Sequence, residues 1–175
     1  MEQLKTTSKL VEAYLESVVV QVLRDALKDY DNVQIVGTWE PSTGDNLKGE
    51  ENKAGCIVGV KSYPRMYDTP TVPYCQINFD ISMAVRADID WDGRNYLDLT
   101  STISDVLQGW QNDFSSLFIF GFPDLFQITG FQLSGGDCGI DRDDGIWQFR
   151  QSFAIFGIVS KPTTDVPNYD INNEN

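Results

Sequence analysis

Three aspartates at alternate positions, Asp88, Asp90 and Asp92, followed by Gly93, form the stretch of this 175-residue chain best suited to chemistry. Carboxylates two residues apart, ahead of a glycine that permits a sharp turn, are how a calcium loop opens. Such a loop closes on a bidentate Glu. Here that position is Leu99, and the nearest carboxylate, Asp98, comes one residue early. A calcium site would therefore be built from Asp88, Asp90, Asp92 and Asp98. The same residues also suit a plain strand-to-helix turn, where Asp and Gly are favoured. In that reading Asn95 caps the following helix, and Asp98 is its capping-box partner near the positive end of the helix dipole. The turn reading needs no cofactor; the other needs calcium alone.

A second acidic stretch, Asp137–Asp144, holds four aspartates among Gly135, Gly136 and Gly139. Its spacing matches no metal site, and a solvated hairpin loop is the simpler expectation. Cys138 within it is the thiol best placed for exposure, with Arg142 the neighbouring cation. The three cysteines, Cys56, Cys75 and Cys138, are odd in number and widely spaced, which disfavours a disulfide framework and suggests a reducing compartment. The chain has no histidine. That removes Ser–His and Cys–His nucleophiles and imidazole-based zinc sites, so no catalytic residues are assigned. A carboxylate enzyme stays open only as an alternative, since no pair of acids stands out.

The net charge of −13 makes the chain a poor wrapper of nucleic acid, because phosphate binding draws on Lys and Arg. It suits a protein that surrounds DNA without gripping it. Hydrophobic residues at 41% and aromatics at 12% are enough for a real core. No apolar run approaches the ~20 residues of a membrane helix, and no membrane partner is expected.

The elements that must position these residues follow from periodicity. Tyr74–Ala87 alternates Cys75, Ile77, Phe79, Ile81, Met83, Val85 and Ala87 with a mostly polar set, as a long strand with one buried face does. Lys9–Lys28, with Ser8 as N-cap, carries Val11, Leu15, Val18 and Leu23 at helical spacing, with Glu12, Glu16, Gln21, Arg24 and Asp25 largely opposite. A second helix, from about Tyr96 to Trp110, has the stripe Tyr96, Leu99, Ile103, Val106, Leu107 and Trp110. Strands are expected at Val33–Trp39, Cys56–Tyr63, Leu125–Leu133 and Gly145–Val159. The last shares the apolar period of the long strand, so the two could be neighbours. Long loops are expected at Glu40–Gly55 and at Pro64–Pro73, where three prolines oppose ladder pairing. Leu117–Phe126 is aromatic and broken by Gly121 and Pro123, suited either to plugging the core or to a subunit interface.

The order helix, strand, strand, long strand, helix, strand, strand indicates an α+β fold: an antiparallel sheet with two amphipathic helices on one face. Residues 1–160 form one domain, and 161–175 form a polar C-terminal tail, disordered alone or a docking arm.

In this order, and in the phrases LVEAYLESVVVQVL, CIVGVKSYP, VPYCQINFDISMAVRADIDWDGRNYLDLTSTISDVLQGW and FQLSGGDCGIDRDDGIWQFRQSFAIFGIV, the chain resembles the tail terminator (tail completion) proteins of tailed bacteriophages and related neck proteins. The resemblance spans about residues 8–160 and rests on architecture more than on a signature. It implies a virion protein of the tail or neck, assembled in the cytoplasm of a bacterial host. Such a protein forms a homo-oligomeric, typically hexameric ring at the head-proximal end of the tail, where it ends tube growth. Its partners would be the tail tube protein and the head–tail connector protein. DNA would pass through the lumen without specific binding, helped by acidic walls. The two long loops, Leu117–Phe126 and the C-terminal tail would carry the contacts. Competing expectations are another connector, tube or baseplate component, and a calcium-dependent binding module built on Asp88–Asp98.

Overall fold

The computed structural model describes residues 11–30, 33–38, 55–67, 74–86, 94–115, 126–141 and 145–159. In chain order these form α1 (Val11–Ala26), β1 (Val33–Gly37), β2 (Cys56–Ser62), β3 (Met66–Tyr67), β4 (Tyr74–Arg86), α2 (Arg94–Asn112), β5 (Phe126–Asp141) and β6 (Ile146–Val159). The strands make one sheet in the order β1-β2-β4-β6-β5, with β3 pairing β4 alongside. The fold is α+β, with a mostly antiparallel sheet.

The alternation of β4 produces the sheet's two faces. Cys75, Ile77, Phe79, Ile81, Met83 and Val85 are all buried, while the residues between them are half-buried or exposed. β6 lies against β4 along its whole length, from Tyr74 opposite Ile158 to Arg86 opposite Ile146. The shared apolar period thus marks a shared ladder. Phe79 and Phe153 are register partners whose rings stack at 4.9 Å, and Phe131 and Trp110 close around Phe153 at 5.2 and 6.2 Å.

α2 lays Tyr96, Leu99, Ile103, Leu107 and Trp110 into this core, the five positions its 3.6-residue period selects. It begins at Arg94, so Asn95 is a helical residue and not the cap the sequence suggested. α1 buries Val11, Leu15, Val18, Val19 and Leu23 beside β1 and β2. Tyr30, just past its end, shares a 3.1 Å hydrogen bond with Thr102 of α2.

Besides Asn95, the molecule differs from the sequence expectation at four places. β1 and β2 run parallel, Val33 opposite Cys56 through Gly37 opposite Val60, whereas every other pairing is antiparallel. Met66 and Tyr67 form a short strand inside the Pro64–Pro73 stretch, because a ladder to Gln76 and Cys75 needs only the residues between the prolines. β5 continues through Ser134–Asp141, expected as loop, since pairing with β6 outweighs the turn preference of Gly and Asp. The ladder shifts register at Ile128/Gly130 and Leu133/Gly136. Finally, Glu12 and Glu16 of α1 are buried and not on a solvent face. The loop Glu40–Ala54, the segment from Ser116 to Leu125 and the tail 161–175 lie outside the described residues.

Candidate functional site

Asp88, Asp90 and Asp92 lie outside the described residues, and Asp98 sits on the exposed side of α2, where its carbonyl accepts a 2.9 Å hydrogen bond from Thr102 Oγ1. The stretch holding the three aspartates leaves β4 after Arg86, and Asp143 and Asp144 precede β6. Arg86 and Ile146 are register partners, so both acidic stretches attach at one end of the sheet. Among the described residues, no group of three His, Cys, Asp or Glu side chains is placed to hold a metal ion. Cys56 and Cys75 are buried free thiols and Cys138 is an exposed one. Near Cys138, the Tyr96 hydroxyl donates to the Gln148 carbonyl at 2.7 Å while its ring stacks on Trp147 at 5.4 Å. Burial, followed by the neighbouring Cys138 thiol, raises this phenol above its ordinary pKa.

The strongest polar chemistry among the described residues is in two clusters that sequence reasoning missed. On α1, Glu12 and Glu16 are four residues apart and so lie on one face, one turn above the other. Glu16, 2% exposed, accepts the Ser62 N–H and the Ser62 hydroxyl on Oε2, both at 2.7 Å. Glu12 accepts Arg65 Nε at 2.7 Å and a second guanidinium N–H at 3.1 Å, a bidentate pair, and also the Arg65 backbone N–H at 3.1 Å. Burial works against the Arg65 charge, but Glu12, with a smaller contribution from Tyr67, outweighs it and raises the guanidinium above its ordinary pKa. Gly37 lies against the same cluster, where an added Cβ would come 2.9 Å from Glu16 Oε1. These carboxylates clamp the chain as it leaves β2 and turns into β3.

The second cluster is on the sheet face opposite the helices. Asp80 Oδ2 accepts the Tyr63 hydroxyl at 2.7 Å and an Arg150 guanidinium N–H at 2.6 Å, while Oδ1 accepts the Ser152 hydroxyl at 2.6 Å. Burial alone would raise this carboxyl. Hydrogen bonds from Ser152, Tyr63 and Arg150, with the Arg150 charge, outweigh that and hold it below the usual value of 3.8. Both clusters consist of saturated acceptors, and no described buried side-chain polar atom lacks a partner. Hydrogen bonding of this kind fixes the geometry of the chain around it.

Among the described residues the exposed large hydrophobics are Leu97 of α2, 61% exposed, and two residues of β3. Met66 and Tyr67 of β3 are 50% and 42% exposed. By register Met66 faces Gln76, which in turn faces Phe156, and the Phe156 ring stacks with Tyr74 at 6.3 Å. Met66, Tyr74, Phe156 and Ile158 therefore lie around Gln76 at one corner of the helix-free face, with Tyr67 on the other side of β3. The Glu12–Arg65 clamp sits immediately before it in the chain. The signal available in the sequence was the lone pair Met66-Tyr67 between prolines, legible only once the β4 partner is known. No helix among the described residues is long and apolar enough to cross a membrane. The chain matches no protein-family model and no curated protein.

Proposed function

We propose that this chain is a structural virion protein, a tail terminator whose copies form a ring, hexameric in the resembled family, at the head-proximal end of a phage tail. In this reading the ring ends tube growth, seats the head–tail connector protein on one side and the tail tube protein on the other, and performs no catalysis. The observation that carries it is the division of labour between residue types. The described buried acids are consumed in holding the fold, whereas a braced apolar corner is held out on the helix-free face. That is the arrangement of a contact protein. The element order on which the resemblance rests recurs in the fold with one short strand, β3, added before the long one. The corner at Met66 is then a contact surface between copies.

The charge of −13 gives the ring a second property: walls that repel phosphates let DNA slide through without adhering. Electron microscopy of the purified full chain tests the reading. Closed rings of uniform diameter are expected. Open-ended tubes would assign the chain to the tube instead. Dispersed monomers at high concentration, with or without the tube protein added, would overturn it. A neutral or basic lumen in the assembled ring would remove the DNA-sliding role alone.

A further inference from the structure

A sheet with two open sides presents unpaired backbone N–H and C=O groups to any other strand, and identical copies of a chain are the strands it meets most often. Among the described residues the strand order ends at β1 and β5, with the two-residue β3 a further short edge on β4. On β1 the Thr38 N–H bonds the Val60 carbonyl of β2, so by alternation Gln34 and Val36 face β2 while Val33, Ile35 and Gly37 turn their backbone groups outward. The Ile35 carbonyl, in the middle of that outward row, accepts a 2.9 Å hydrogen bond from the guanidinium of Arg24. On β5 the Leu133 N–H is taken up by Gln111 Oε1 at 2.8 Å, so it too points away from β6. Arg24 belongs to the last turn of α1 and Gln111 to the last turn of α2. Each helix ends by sending one exposed side chain to the adjacent sheet edge, and the chemistry is matched: a donor meets an acceptor on β1, and an acceptor meets a donor on β5.

We infer that Arg24 and Gln111 are edge guards, which keep the two strands that end the described sheet, β1 and β5, from pairing with strands of other copies. Blocking one edge would still leave pairing of the other edge with itself. With both blocked, β1–β1, β5–β5 and β1–β5 pairing are all opposed. The last is the most hazardous, because a head-to-tail contact that does not close grows into a filament. The two register shifts in β5 work in the same direction by breaking the regular spacing a second strand would need. Assembly of this chain is thereby directed to side-chain surfaces and away from continuation of the sheet.

The test compares the full-length wild type with Arg24→Ala, Gln111→Ala, the double variant and Gln111→Glu. Sedimentation velocity over a concentration series gives particle mass, and amide hydrogen exchange follows Val33, Ile35, Gly37 and Leu133. Both side chains are exposed, so circular dichroism and the thermal midpoint should report a native fold in every variant. The double variant is expected to show a weight-average mass roughly doubled or more at the highest concentration, with new protection at the edge amides. Gln111→Glu keeps the acceptor for Leu133 and should match the wild type. A double variant with the wild-type mass distribution would overturn the inference. So would heavier particles whose edge amides exchange as in the wild type, or a Gln111→Glu variant that associates like Gln111→Ala. Each of these outcomes leaves the ring reading untouched, since that reading rests on the apolar corner.

Discussion

Glu16 illustrates how much one residue carries when its partners are fixed. Its carboxylate is buried and accepts two hydrogen bonds from Ser62, one from the backbone and one from the hydroxyl. Replacing it with Ala leaves a buried backbone N–H without a partner, opens a void and frees the exit of β2. The expected loss is about 3 kcal/mol, read as a fall in the urea midpoint at unchanged slope. Glu16→Gln keeps an acceptor and should lose about half as much. Equal stability of the Ala variant and wild type would show that the clamp contributes nothing. Asp80 adds a dependence on pH. Its carboxyl is held below 3.8 in the folded chain, so it titrates at a higher pH when unfolded. The stability it contributes is fully present above the unfolded value and is lost as pH falls through the folded one. Wild type should therefore weaken on acidification below about pH 4, and Asp80→Asn should flatten that slope while lowering stability at neutral pH. A parallel pH profile for the two proteins would refute the assignment.

At the scale of elements, the long central ladder sets what is tolerated. Gly157 of β6 sits where a side chain would collide with the Phe126 ring and lie 2.7 Å from the Gln127 carbonyl of β5. Gly157→Ala must push β5 away from β6 at the end where Phe126 meets Val159. A loss of about 2–3 kcal/mol is expected, with faster amide exchange at Phe126 and Ile128 than at Cys138, at the far end of β5. Uniform exchange along β5 would show that the strands yield as a unit. The ladder also explains which elements the sequence could reveal. β4 and α2 announce themselves because each buries one face of a regular period, and burial follows that period residue by residue. The β4–β6 pairing was visible in their common apolar spacing. The parallel sense of β1 and β2 was not, because two short apolar strands carry no local mark of direction. Nor was the reach of β5 through Ser134–Asp141, where glycine and aspartate advertise a turn and only β6 supplies the ladder. The burial of Glu12 and Glu16 was hidden for a related reason. Their partners lie 53 and 46 residues away, and a helical period assigns any carboxylate to the solvent side.

For the whole molecule the competing terms are charge and apolar contact. Two copies that each carry −13 repel one another, and the repulsion is screened over a distance that shrinks to about 10 Å at 0.1 M salt. If copies meet at the corner of Met66, Tyr74 and Phe156, salt weakens the opposing term and leaves the favourable one intact. Association should then strengthen as salt rises. An assembly held by ion pairs across the interface would weaken instead. The corner itself can be tested without disturbing the fold, because Met66 is 50% exposed and its side chain has no part in the Glu12–Arg65 clamp. Met66→Glu adds a carboxylate where an apolar contact is proposed and increases the repulsion already present. The dissociation constant should rise at least about tenfold, equivalent to about 1.4 kcal/mol, with an unchanged thermal midpoint for the dissociated chain. Added salt should recover only part of the loss, since it screens the new charge but does not restore the apolar contact. Unchanged association of Met66→Glu, or association that falls with salt in the wild type, would move the contact away from this corner and onto the charged segments of the chain.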